Sequence, residues 1–276
     1  MTQRTGTTAT TRRLAAVAAA LLAATVVAGC DDEATPAAAP PPPDPKQELL
    51  AAVPGEQDPA FRFTTSDSSG DVSGVVDPVN RGMDIDTVTK DKDFTLEMSY
   101  RMVESRTWMK VNFKGAKDIQ KLMKLPTKWM ELDPAEIEGP NPLLSYQSTD
   151  PGNAAAIIRA ASDVQAGEPG TYTGVVDLSV VPELADALEG VAALDDTDGQ
   201  LPLSAVVGAD GNLSSLTLEI PPAGKKKASE YVVEYFDFGA APAVVAFTEE
   251  QAQQAPNAAY DLLNRLPVSG RAPTPR

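Results

Sequence analysis

Residues 94–113 read FTLEMSYRMVESRTWMKVNF, and their alternation decides the fold. Phe94, Leu96, Met98, Tyr100 and Met102 fall on one face, with Thr95, Glu97, Ser99 and Arg101 on the other. That period of two marks a strand with one buried side. In the second run Met109, Val111 and Phe113 share a face, opposite Trp108, Lys110 and Asn112. Glu104-Ser105 between the runs is short enough for a hairpin, and Lys90 to Asp93 separates the pair from a preceding run, RGMDIDTV. An antiparallel meander with one polar face follows.

Alternation of this kind begins at Phe61 and returns later in TYTGVVDLSV, LPLSAVVGA, NLSSLTLEI and SEYVVEYFDF, the middle two flanking Asp210-Gly211, a tight-turn dipeptide. Lys225 to Lys227 fall in the next turn, where a solvated role is favoured over contact with lipid headgroups. SGVVDP at Ser73 to Pro78 recurs as TGVVDL at Thr173 to Leu178, so the two sets are either related halves or a coincidence of common residue types. Between them the period turns helical. AKDIQKLMKL (Ala116 to Leu125) stops at Pro126, and Asp150-Pro151 reads as N-cap and first position for GNAAAIIRAASDV. A short helix is expected from Pro182 through Leu188, and a C-terminal one within Asn257 to Leu266. Strands, then helices, then strands, with one apolar sheet face, imply a curved antiparallel sheet packed on helices, an α+β fold.

Upstream of the strands lies a different composition. Residues 1–29 carry Arg4, Arg12, Arg13 and no acid, then an apolar stretch from Leu14 to Ala28. This is the layout of a secretory signal, and the run falls short of the about 20 residues that span a bilayer. It ends Val27-Ala28-Gly29-Cys30, which resembles the lipobox of bacterial lipoproteins, and Cys30 is the only cysteine. The resemblance implies cleavage before Cys30 and a diacylglycerol on its sulfur, leaving no thiol for disulfide, metal or nucleophilic roles. Asp31 to Pro45, DDEATPAAAPPPPDP, has no apolar periodicity and is expected to be an extended spacer. The organisation expected is therefore a signal over 1–29, an acylated tether over 30–45, one domain over 46–266 and a disordered tail over 267–276.

Without residues 1–29 the chain has 20 basic and 39 acidic side chains, a balance of −19. That argues against nucleic acid and against lying flat on an anionic bilayer, so the lipid on Cys30 is the expected membrane partner. There is no histidine, which removes histidine-based triads and the commoner zinc sites. No GxSxG or SxxK occurs, so no enzyme and no cofactor is expected. Asp195 to Gly199, DDTDG, places its glycine as a calcium loop does, but Leu194 and Ala205 stand at the flanking ligand positions. It reads as a polar turn rather than a weak calcium site.

The order of lipobox cysteine, spacer, early helix at KQELLAAV, a meander holding VSGVVDP and RTWMKVNF, and then AASDVQAGEPGTYTGVVDLS is similar to that of the actinobacterial lipid-carrier lipoproteins typified by LppX and LprG. These share a half-barrel with the lipoprotein carrier LolA. The resemblance covers about Lys46 to Phe238 and implies a curved antiparallel half-barrel with helices packed on its concave face, enclosing a cavity for acyl chains. The residues are compatible with it. Met83, Met98, Met102, Met109, Met123 and Met130 cluster on the first meander and beside it. Flexible thioethers suit a variable pocket, and equally an ordinary core. Trp129 lines a pocket mouth or caps the core.

Three readings of function follow. The first is a monomeric carrier of lipid or glycolipid, with the cavity lined by Leu96, Met98, Tyr100, Met102, Met109, Val111 and Phe113. The second is a surface-interaction or envelope-maintenance module with a solid core and a protein partner, for which Trp108 is the one candidate in an outer apolar patch. The third, an enzyme, lacks a constellation.

Overall fold

The two runs quoted above form β4 (Thr95–Val103) and β5 (Arg106–Lys114), paired antiparallel from Thr95↔Lys114 to Val103↔Arg106 across the Glu104-Ser105 turn. Glu104 takes the turn with a φ of 55°. The structure, a computed structural model, describes residues 44–67, 70–90, 92–115, 119–138, 146, 148–177, 200–222 and 227–265. A compact unit running from Pro42 to Arg276 holds every described element. In chain order the first of these are α1 (Pro45–Ala51), β1 (Phe61–Ser66), β2 (Asp71–Asp77) and β3 (Gly82–Lys90). After β5 come α2 (Ile119–Leu122), β6 (Trp129–Leu132), α3 (Ala154–Ala160), β7 (Ala161–Ala166) and β8 (Thr171–Asp177). The chain closes with β9 (Gln200–Val207), β10 (Leu213–Ile220), β11 (Ser229–Phe236), β12 (Ala252–Gln254) and α4 (Asn257–Leu263).

All twelve described strands join one curved, unclosed sheet in the order β12-β6-β5-β4-β3-β2-β1-β11-β10-β9-β8-β7. Every pairing is antiparallel except β12 with β6. The fold is thus α+β. Alternation sends one face inward: β4 buries Leu96, Met98, Tyr100 and Met102, and β9 buries Leu201, Leu203 and Ala205. Leu49 of α1, Ile157 and Ile158 of α3 and Leu263 of α4 join the same core cluster, so these helices cover the apolar face. The opposite face of β3 to β6 carries ion pairs, with Arg101 gripping Asp84 through two hydrogen bonds of 2.7 and 2.6 Å, Arg106 on Glu131 and Lys114 on Glu97.

Three expectations are corrected. The helix expected through GNAAAIIRAASDV begins at Ala154, not beside Asp150, and stops at Ala160. Asp163 takes a φ of 51° and the segment pairs with β8 as an edge strand, the sheet outcompeting the helical period of ASDV. Asp150 still caps from a distance, its carboxylate accepting from the Ala154 and Ala155 backbone N–H groups at 2.9 and 2.8 Å. The helix expected over 116–125 is described only as the short α2, closed by Lys124 with φ 56° and a bond from the Leu125 N–H to the Gln120 carbonyl. Trp129 does not end a helix but opens β6, and with Glu131 it faces away from the core, opposite Met130. The segment after Phe238 supplies β12 and α4, the latter within the Asn257 to Leu266 range where a C-terminal helix was expected. The expected helix at 182–188, the turn at 195–199, Lys225, Lys226 and the tail at 267–276 lie outside the described residues.

Candidate functional site

Register places the seven expected lining residues on one face. Tyr100 pairs with Met109, Met98 with Val111 and Leu96 with Phe113, while Met102 lies beside Met83. Six are at most 8% exposed, and Phe113 is partly buried against the same cluster. Cross-strand partners extend them into a belt over seven strands: Tyr235, Phe63, Gly74, Ile85, Tyr100, Met109 and Met130. Gly74 is where the belt dips. A Cβ there would stand 1.9 Å from the Asp84 carbonyl oxygen and 2.7 Å from the Phe63 ring, so the ring lies in the space a side chain would take.

Polar groups on this face are few, and most have an identifiable partner, the buried Tyr146 hydroxyl being an exception. The Tyr100 hydroxyl, in the middle of the belt, donates to the Met98 Sδ at 3.5 Å, and burial pushes its phenol well up. Tyr231 donates to the Gly152 carbonyl at 2.9 Å and Tyr235 to the Asp150 carboxylate, both phenols raised first by burial and then by Asp150. Asp150 therefore ties β11 to the start of α3. Gly152 permits the close approach, since a Cβ there would stand 2.4 Å from Val233 Cγ1. At the other end of α3, Lys46 Nζ donates to the Arg159 and Ala161 carbonyls at 2.7 Å each, occupying acceptors that the helix leaves open. Apolar walls with a few oriented phenols can accept an acyl chain.

Sequence reading missed Phe63, Ile85, Tyr231 and Tyr235 as members of this face. The alternation in SEYVVEYF carried the signal for the last two. Trp108 stands on the expected face but not in the expected surroundings. It is on the outer face, yet 0% exposed, because the chain after β11 folds back over it. Phe247 meets the Trp108 ring edge-on at 5.7 Å and the Trp129 ring at 4.7 Å, while Arg101 and Arg106 lie over Phe247 and Trp108 at 4.4 and 4.6 Å. Asp77, itself buried, anchors this strap by accepting from the Val244 N–H at 2.9 Å. The outer apolar patch expected at Trp108 is thus covered by the chain's own Phe247. In comparisons with known proteins, the chain matches no protein-family model and no curated protein.

Proposed function

We propose that this chain is a membrane-tethered extracytoplasmic lipoprotein that holds or carries a lipid or glycolipid between the inner face of its sheet and the helices over it. The observation that carries the reading is the apolar belt from Tyr235 to Met130 on a sheet that does not close. Its roof is made of helices of only seven residues, whose buried side chains, Leu49, Ile157 and Ile158 among them, an acyl chain would have to replace. Acyl chains would leave the bilayer for this face at a gain of about 0.8 kcal/mol per buried CH₂. Five methionines of the inner face, Met83, Met98, Met102, Met109 and Met130, add tolerance of chain shape. Cys30 in its lipobox-like setting supplies the tether, and the resemblance to the LppX, LprG and LolA carriers points the same way.

A second reading, a solid-core module with a protein partner, has one observation on its side: the seven side chains already pack closely among the helices. Native mass spectrometry separates the two. The unit beginning at Pro42, secreted past its own host's membrane and purified without detergent, is expected to carry an extractable mass of several hundred daltons. A bare mass with no uptake of added phospholipid or glycolipid overturns the carrier reading.

A further inference from the structure

The chain's charge is segregated. Although its net charge is −16, residues 119–130 hold three lysines and no carboxylate. α2 lies just past the end of β5, held there by Gln120, whose amide donates to the Val111 and Pro126 carbonyls at 3.0 Å each. The register Lys90↔Thr95↔Lys114 puts Lys90 at the same end of the sheet, and Lys92 lies in the turn beyond it. Lys90, Lys92, Lys114, Lys121 and Lys124 are all exposed. The described carboxylates of this corner are Asp93, 3.9 Å from Lys92, and Glu97, held by Lys114 and Asn112 with its acidity increased by those bonds; Asp71 on β2 and Asp67 past β1 lie at the same end, three and four strands from β5, and Asp91 and Asp118 lie outside the described residues. Leu122 projects between Lys121 and Lys124 and is 82% exposed, the most exposed large apolar side chain among the described residues.

The entry of the tether is at this end too. Lys46, two residues after the N-cap Asp44, reaches the Ala161 carbonyl where β7 begins, and α1 runs from there until the Ala52 carbonyl accepts from Leu213 at the start of β10, the opposite end of the sheet. We infer that the α2 corner is a membrane-docking surface, in which Lys121 and Lys124, with Lys90 and Lys114 beside them, meet anionic lipid headgroups while Leu122 enters the acyl boundary. Net negative charge does not oppose this contact. At physiological salt the Debye length is about 8 Å, so carboxylates at the far end of the sheet are screened from headgroups at this one. The inference stands apart from lipid carriage, since it uses outward side chains only.

Vesicle co-sedimentation of the unit from Pro42, which contains the whole described core, tests it with phosphatidylcholine alone and with phosphatidylcholine containing phosphatidylglycerol. Binding is expected only with phosphatidylglycerol and is expected to weaken with salt. Each neutralised lysine is worth about fivefold near an anionic surface, so Lys121→Glu with Lys124→Glu should weaken binding by about 25-fold or more. Leu122→Ser should weaken it without changing the salt dependence. A charge-matched pair at the other end, Arg62→Glu with Arg265→Glu, should leave it within about threefold. No dependence on phosphatidylglycerol, or equal losses from the two pairs, overturns the proposal. Native mass spectra of the Lys121→Glu/Lys124→Glu protein should show the same cargo as the parent, so docking and carriage fail or stand separately.

Discussion

Replacing Phe247 with alanine removes the one ring that both tryptophans of the chain touch. The Trp108 and Trp129 contacts are each worth about 0.5–1.5 kcal/mol, and the Arg101 guanidinium over the ring adds about 0.5–1 kcal/mol. Docking of the strap should therefore weaken by about 2–3 kcal/mol. Global stability should fall by less, because Asp77 still holds Val244 and the strap can open locally while the sheet stays folded. The readout is intrinsic fluorescence. Trp108 is fully buried in the parent, so Phe247→Ala should shift emission to the red and raise acrylamide quenching, with a urea midpoint that moves little. Adding Asp77→Ala should release the strap and enlarge both optical changes. Unchanged emission and quenching in the single variant would show that something other than Phe247 shields Trp108, and would refute the account of the covered outer face.

Tyr100→Phe deletes a buried hydroxyl whose described acceptor is a weak one, a thioether at 3.5 Å. Stability in urea is expected to hold or rise by up to about 1 kcal/mol, because the penalty of a poorly paired hydroxyl is removed; a clear loss would reveal a stronger partner. Asp150→Ala strips two backbone caps from α3 and the acceptor from Tyr235. Its expected cost is about 2–4 kcal/mol, with faster hydrogen exchange in α3 as the specific sign; a loss without local loosening would count against the tie. Burial raises the phenols of Tyr100, Tyr231 and Tyr235 in the folded state. Stability contributed by these groups is whole below the ordinary phenol value near pH 10 and is lost above it, by up to about 4 kcal/mol per pH unit as the unfolded chain alone releases three protons. Urea midpoints that stay level between about pH 9 and about pH 11.5 would refute that.

Strand runs were legible wherever one face was wet and the other dry. Lys110, Asn112 and Lys114 against Met109, Val111 and Phe113 leave only one way to lay down β5. Legibility failed where tertiary pairing overruled a local pattern. ASDVQA has an edge position beside β8, and in WMEL the four residues are too few to show a period, so β7 and β6 were invisible as strands. Trp108 was placed on the right face and given the wrong surroundings. What covers it, Phe247, is 139 residues away in the chain and sits in a stretch of alanine and valine without periodicity. The tyrosines of β11 show the same limit from the other side. Their alternation was readable, but their partners, Asp150 and Gly152, belong to a turn whose place over the sheet only the fold supplies.

The order of strands explains why helices cover the inner face at all. The repeated phrase occupies β2 and β8, each the second strand after a helix, α1-β1-β2 and α3-β7-β8, which favours related halves over coincidence. Across the sheet the run is β7 to β11 and then β1 to β6, the two sets joined where β11 pairs with β1. Neighbours in sequence are neighbours in the sheet within both sets, and adjacency breaks only at β6 to β7 and at β11 to β12, which pairs with β6. From β6 the chain must reach β7, and these lie near opposite edges of an unclosed sheet. The connection has to cross the open side, and it brings α3 with it over the apolar face. This roof is both a passage of chain and a packed layer, since Ile157 and Ile158 are fully buried in the same core cluster as the sheet's inner face. Its described bonds to the rest of the fold are local: Thr149 to the Pro54 carbonyl, Tyr231 to Gly152, Tyr235 to Asp150, and Lys46 to the end of α3. Under the proposed carrier reading, an acyl chain would have to replace Leu49, Ile157 and Ile158 against the belt while every rung of the sheet stays paired, and that exchange of one apolar surface for another is the step the reading depends on.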